Sequence, residues 1–343
     1  MKKNSVSLII VRVALLLAFV VVVLGAYTRL TDSGLGCPDW PGCYGHWVLP
    51  QSETGLEEAQ QVFPTQLVEP QKAWKEMIHR YAAGTLGILI FALFVQALAK
   101  RYRKEDFPLG VCSILVVLLI FQAMLGMWTV TWKLLPLVVM GHLLGGLTIL
   151  SMLRVLYLSL TVGAPLHNIN NRPILGEYYS PLQYHRVWPI IGLVLVAFQI
   201  ALGGWVSSNY ASLACVGFPT CNGLYVPPMD WHNAFNLFSP IGIDYEGGKL
   251  DSAARIAIQM AHRMNAILTA VYILCLSAWV LCKEKIPAIR RSALIAIILV
   301  CIQFALGVIL VTHLLPLDIA VSHNAVAALL LLTMVSWVYR QRK

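Results

Sequence analysis

MIHRYAAGTLGILIFALFVQALA, residues 77–99, opens on an imidazole and a guanidinium and then continues with almost nothing but apolar and small side chains. About 20 such residues, rising 1.5 Å each as an α-helix, cross the roughly 30 Å hydrocarbon layer of a bilayer. The stretch is therefore a transmembrane helix with a histidine near one end. Seven further runs of this kind flank it, at about 8 to 27, 108 to 131, 137 to 160, 187 to 208, 256 to 282, 292 to 312 and 317 to 338. The bulk numbers agree: of 343 residues 58% are hydrophobic and 12% charged, with a mean hydropathy of +0.72, whereas a soluble domain carries roughly a quarter charged residues. The fold class is all-α integral membrane protein with eight transmembrane helices.

An even number of spans puts both termini on one side. Lys and Arg collect in short cytoplasmic loops, and here they collect at Lys2, Lys3, Lys100, Arg101, Arg103, Lys104, Arg172, Arg186, Lys283, Lys285, Arg290, Arg291, Arg340, Arg342 and Lys343. Both termini are thus expected in the cytoplasm, with the chain in the cell inner membrane and lipid as its surroundings. The net charge of +9 is divided among span ends, so topology accounts for it and nucleic acid is not a partner. No small-residue cleavage site precedes Tyr27, which makes the first span a retained anchor rather than a signal peptide.

The chain repeats itself. Cys37 and Cys43 recur as Cys215 and Cys221 at an offset of 178, inside CPDWPGC and CVGFPTC; His79-Arg80 recurs as His262-Arg263 at 183, and Gln122, Gly126 and His142 recur as Gln303, Gly307 and His323 at 181. So small a drift indicates duplication. The expected organisation is an N-terminal four-helix bundle over 1–160, a polar cytoplasmic linker over 161–186 and a C-terminal four-helix bundle over 187–343. With four spans each, the halves share one orientation and a pseudo-twofold axis along the membrane normal.

An ionisable side chain at membrane depth points to function, and neutral imidazole is a common axial ligand of haem iron. His79, His142, His262 and His323 form two repeat-related pairs at similar depth, six to ten residues into their helices. A flat macrocycle between helices calls for small residues one turn from each ligand on the same face. Ala82, Ala83, Gly145, Gly146, Asn265, Ala266 and Ala327 meet that condition. The pattern reads as a two-haem membrane protein, His79 with His142 and His262 with His323 holding iron. Arg80 and Arg263 are candidates for haem propionates. His46, His167, His185, His232 and His313 are given no ligand role.

The halves differ three residues before the first ligand, where Glu76 is matched by Gln259. A carboxylate in a partly buried site acts as acid, base or stabiliser of positive charge, and an amide does not shuttle protons. Glu76 is the candidate catalytic residue, in a reactive first half supported by the second. Each Cys-x5-Cys pair lies in an outward loop, where an oxidising compartment favours disulfides. Cys37–Cys43 and Cys215–Cys221 are the expected bridges, with a redox role for the first pair left open. Closing so short a loop stabilises by roughly 2 kcal/mol.

Two other readings share parts of this pattern. A bis-histidine cytochrome carrying two haem b groups and taking electrons from quinol uses the same ligands, but leaves the Glu76/Gln259 difference and the cysteine loops without purpose. A transporter built from parallel repeats fits the duplication, yet no polar residues cluster at the bilayer midplane.

The run GAYTRLTDSGLGCPDWPGCYG (Gly25 to Gly45), EMIHR (Glu76 to Arg80), QAMLG (Gln122 to Gly126) and the GHLLGG around His142 resemble the haem A synthase family over nearly the whole chain. The resemblance implies an oxidoreductase that converts the C8 methyl of haem O to the formyl of haem A by successive hydroxylations and loss of water. It implies haem O between His79 and His142, a haem b cofactor between His262 and His323, and Glu76 as the family's essential glutamate. The second cysteine pair matches only those members that have two. The electron donor is not legible, and complexes with haem O synthase or with a second copy of the chain stay open.

Overall fold

The computed structural model describes residues 5–50, 52–64, 66–162 and 187–341. The expected linker lies, from residue 163 onward, outside the described residues. Ten helices follow in order: α1 (Ser5–Leu30), α2 (Glu53–Val62), α3 (Pro70–Tyr102), α4 (Leu109–Thr131), α5 (Pro136–Val162), α6 (Val187–Ser208), α7 (Trp231–Ala234), α8 (Ser252–Lys283), α9 (Pro287–Thr312) and α10 (Leu317–Arg340). Eight of them are long and apolar enough to cross a membrane, and the described residues form helices and loops, with two isolated β-bridges, Cys43 to His46 and Cys221 to Leu224, in the loops. It is a multi-pass membrane protein. Large apolar side chains such as Leu16, Ile88 and Val117 face outward, as a lipid solvent permits.

Local chemistry sets the helix starts. Pro70 opens α3 at a position whose missing N–H costs nothing. Asp251 caps α8 by accepting from the Ala254 N–H at 2.8 Å. These two helices have 33 and 32 residues, about 50 Å, so they extend beyond a bilayer and carry His79 and His262 some 13 to 15 Å inward from their starts. The short α2, which has no transmembrane character and was not anticipated from sequence, is capped by Ser52 and buries Ala59 in the first loop.

In the first half α1 packs on α3 and α5, and α4 on α3 and α5, closing a ring of four; α6, α8, α9 and α10 close the same ring in the second half. The rings meet through α1, α5, α6 and α10. One apolar core runs through both on the side away from the histidines, from Val11, Ile90, Leu93, Leu150 and Leu153 to Ile273, Met334 and Trp337. On the histidine side the space between helices is open.

The duplication extends to backbone detail. Non-glycine residues at positive φ are uncommon, yet here Asp32 pairs with Tyr210, Tyr44 with Asn222, Lys133 with Leu314 and Leu134 with Leu315, each at a repeat offset. Helices α1, α4, α6 and α9 all end alike. Ser33, Leu134, Ala211 and Leu315 each donate their N–H to the carbonyl five residues back, at 2.8 to 2.9 Å, the closing bond of a Schellman turn. The repeating unit is thus a hairpin of two spanning helices, used four times.

Candidate functional site

Each hairpin contributes one histidine, from its second helix, and one glycine, from its first. Gly25, Gly126, Gly203 and Gly307 each stand seven residues before the left-handed residue that ends their helix. That common register brings each against an imidazole. A methyl group at Gly25 would stand 3.0 Å from His79 Cε1, at Gly126 3.1 Å from His142, at Gly203 3.1 Å from His262 and at Gly307 3.3 Å from His323. Only glycine lets the rings lie this close to the neighbouring helix.

The rings of His79 and His142 lie 6.4 Å apart, centre to centre, at 77° to one another. An imidazole nitrogen holds a transition metal at about 2 Å, so two rings on opposite sides of one metal have centres roughly 6 Å apart. Both line a cavity of about 800 Å³ bounded by α1, α3, α4 and α5 and covered by Trp40, Pro41 and Trp47 of the first loop. His262 and His323 line a narrower cavity of about 200 Å³ in the second half, touched by Ser212 and Phe218 of the second loop. Among the described residues no three His, Cys, Asp or Glu side chains converge as in a metal cage. Each pair would offer a bound metal two nitrogen donors, and the ring separation of His79 and His142 suits that role.

Amides brace three of the rings. Gln122 Nε2 is 3.0 Å from His142 Nδ1, Gln199 Nε2 is 3.0 Å from His262 Nδ1 and Gln303 Nε2 is 3.0 Å from His323 Nε2. Gln199 is in turn fixed by Asn265, whose amide donates to its Oε1 at 2.7 Å. His79 Nδ1 and His323 Nδ1 are buried without a partner. Of the small residues expected beside the ligands, Ala83, Gly146, Ala266 and Ala327 line the cavities. Ala82, Gly145 and Asn265 do not: Gly145 makes room for the Gln122 side chain, and Asn265 serves Gln199. Sequence reasoning missed Gly25, Gln199 and Gly203. The signal was present, because Gln199-x3-Gly203 repeats the spacing of Gln122-x3-Gly126 and Gln303-x3-Gly307.

Glu76 is buried, 5% exposed, and is no solvated acid at a helix entrance. Its Oε2 accepts from the Cys37 N–H at 3.0 Å and its Oε1 pairs with Arg80 Nη2. Arg80 Nη1 donates to the carbonyls of Asp39 at 3.0 Å, Pro41 at 3.3 Å and Gly42. Glu76 and Arg80 thereby tie the first cysteine loop to the helix of His79, and both line the large cavity. The second half keeps half of this device: Arg263 donates to the carbonyls of Thr220 at 3.1 Å and Cys215 at 2.5 Å, while Gln259 is buried with its Oε1 unpartnered. Both arginines donate to loop carbonyls, Arg80 also pairing with Glu76, and Arg263 Nε is left buried and free. Cys37–Cys43 and Cys215–Cys221 are both bonded, each within an apolar cluster that packs on the start of α3 or α8. His46 and His232 are exposed, and His313 meets the Thr312 hydroxyl. His167 and His185 lie outside the described residues.

The cavities share a wall. Leu30, Leu143, Gly203, Gly204, Ser207 and Asn324 touch both. Arg29, at the end of α1, donates to the Ser207 carbonyl at 2.5 Å and stacks 4.0 Å over the Tyr210 ring, joining the halves at that wall.

A family described as COX15-CtaA, cytochrome oxidase assembly protein, matches residues 8–335. A protein of Shewanella oneidensis named Heme A synthase is similar to this chain at 43% identity over 330 residues, 96% of this chain and 95% of its own. Proteins of the same name from Bacillus licheniformis and Caulobacter sp. strain K31 are 28% and 27% identical, over 88% and 96% of this chain and 85% and 94% of theirs.

Proposed function

The chain belongs to the COX15-CtaA family of cytochrome oxidase assembly proteins, and we propose that it is a haem A synthase, oxidising the C8 methyl of haem O to a formyl group by successive hydroxylations. The observation that carries this reading is the His79–His142 pair, at metal-bridging separation in the larger cavity, in a chain similar along its length to proteins of that name. His79 and His142 would hold the substrate iron, and the Trp40 and Trp47 loop would keep bulk water from the reacting methyl. Glu76 is the acid of that site. Its carboxylate, buried against Arg80 and Cys37, would stabilise positive charge developing at the methyl.

His262 and His323 would hold a resident haem b. The donor set fits: two imidazoles line one slot, each with a glycine against it, while Arg263 Nε is available to a propionate and His323 Nδ1 is free. When bound, that haem supplies one-electron transfer through the shared wall to the first cavity. Gln259, an amide in place of Glu76, gives no acid to this half, which suits a supporting role. The two rings of four helices would be the two bundles, related by a pseudo-twofold axis normal to an inner membrane, with both termini cytoplasmic.

The deciding experiment is chromatography of acid-extracted haem from protein purified out of cells that also make haem O. Haem B together with haem O, its hydroxylated product or haem A is the expected result. Two equivalents of haem B alone would overturn the reading in favour of an electron-transferring cytochrome.

A further inference from the structure

Equivalent residues line most walls of the two cavities, and the outward side of α3 is where the cavities part. Glu76, His79 and Ala83 of the first answer to Gln259, His262 and Ala266 of the second. From this inner stripe the first cavity continues onto the next stripe of the same helix, reaching Gly84, Thr85 and Ile88, all of them exposed. Their equivalents at the offset of 183, Ile267, Leu268 and Val271, take no part in lining the second cavity. A methyl group on Gly84 would meet nothing within 4 Å, and one on Gly87 would stand 3.5 Å from Leu119 Cδ2, so the helix across this opening is α4. One turn along α4 from Leu119, Ala123 is exposed and lines the same cavity. At the place of Ala123 the second half has Phe304, whose ring meets Phe218 of the second loop edge-on, centres 6.0 Å apart at 86°. Small side chains leave the seam between α3 and α4 open, and an aromatic pair fills the seam between α8 and α9.

We propose that haem O enters the first cavity from the membrane through the α3–α4 seam and leaves its long isoprenoid chain lying there, and that Phe304 with Phe218 closes the equivalent seam to any haem bearing such a chain. This rests on the reading of the first cavity as the haem O site. Thr85 and Ile88 lie six and nine residues beyond His79, about 9 to 13 Å deeper into the bilayer, so the opening is at the level of lipid acyl chains. An isoprenoid chain is as apolar as those acyl chains and gains nothing by withdrawing from them into protein. A seam continuous with lipid therefore holds it without cost, whereas passage through water would expose its whole apolar surface. The same geometry separates the two halves by ligand class. The first cavity, about 800 Å³ and open at its side, suits a substrate that comes and goes; the second, about 200 Å³ and shut by Phe304, suits a resident haem with short side chains. Position 123 and its equivalent 304 are thus the specificity-determining pair, alanine admitting the chain and phenylalanine excluding it.

The test is the type of haem recovered per protein, by acid extraction and chromatography, from detergent-purified protein made in cells that supply both haem B and haem O. Ala123→Phe should lower haem O and its oxidised products by about 10-fold or more, one decade of affinity for a side chain forced into an occupied space, with haem B unaltered. Gly84→Ile combined with Thr85→Leu, the residues that α8 carries at those places, should act in the same direction, and decides the matter should Ala123→Phe not accumulate. The reciprocal change is made in His79→Ala, which lacks a ligand of the first site: that variant should yield haem B alone, and adding Phe304→Ala should bring haem O with it. Undiminished haem O in the α3–α4 variants would mean that the seam holds lipid chains only, and haem B alone after Phe304→Ala would mean that the aromatic pair excludes nothing. Either result overturns the proposal while the wild-type protein still yields haem O. Absence of haem O from the wild-type extract instead removes the reading beneath it.

Discussion

Glu76 and Gln259 occupy equivalent places, and the isosteric exchange between them is the natural experiment within the chain. Gln at 76 keeps an oxygen for the Cys37 N–H and loses the charge opposite Arg80. Arg80 stays anchored by the carbonyls of Asp39, Pro41 and Gly42, so the loop has reason to stay in place. Glu76→Gln should accordingly retain haem O and lower formation of the aldehyde by on the order of 10² or more, the usual contribution of a positioned acid or base. Extracted haem O and haem A, quantified together, check both halves of that expectation; a normal haem A yield would remove Glu76 from the chemistry. The arginines teach a lesson about what sequence carries. Charge and position were legible, and both pointed outward to propionates. That a cysteine loop folds back and offers its carbonyls to the guanidinium was not, because backbone acceptors have no letter in a sequence.

At the level of the helix, much was legible because lipid is a demanding solvent. Every span must satisfy its own backbone and be apolar for about 20 residues, which fixes number and place, while the exact starts, at Pro70, Pro136 and the Asp251 cap, emerge with the structure. The ten-residue α2 escaped because an amphipathic helix over a loop has neither length nor continuous apolarity. Gln199 and Gly203 escaped because one amide within an apolar run reads as a tolerated polar residue until the ring beside it is known. The hairpin unit yields two expectations. Gly307→Leu adds a whole side chain where even a methyl group would stand 3.3 Å from His323 Cε1; it should displace the ring and lower haem b content several-fold, read from the absorbance per protein, without change in helical circular dichroism. Asp251→Ala removes the cap of α8 and should cost about 0.5–2 kcal/mol, seen as a lower midpoint of thermal unfolding with haem stoichiometry intact.

Across the whole molecule the two rings of helices are joined twice, and the joints differ in kind. Away from the histidines, Ile90, Leu150, Ile273 and Met334 belong to one dense core, where apolar burial fixes the halves against each other. Between the cavities the wall is thin and built of small side chains, Gly203, Gly204 and Ser207 from α6 against Leu30 and Leu143 from the first half. A large residue there would separate the cavities, whereas small ones keep them close, as the proposed passage of electrons from one to the other would require. Gly204 tests this arrangement, since a methyl group on it would stand 3.0 Å from Leu143 Cδ2. Gly204→Leu forces side-chain volume into a packed boundary, a strain of about 1–3 kcal/mol, and the boundary belongs to both cavities. Haem content in both halves should therefore fall together, by roughly 5- to 150-fold in affinity at that strain. Titration of the variant with haem, followed by extraction to identify which type is retained, separates the alternatives: loss confined to one half would mean that the wall is not shared, and the duplicated rings would then act as independent sites.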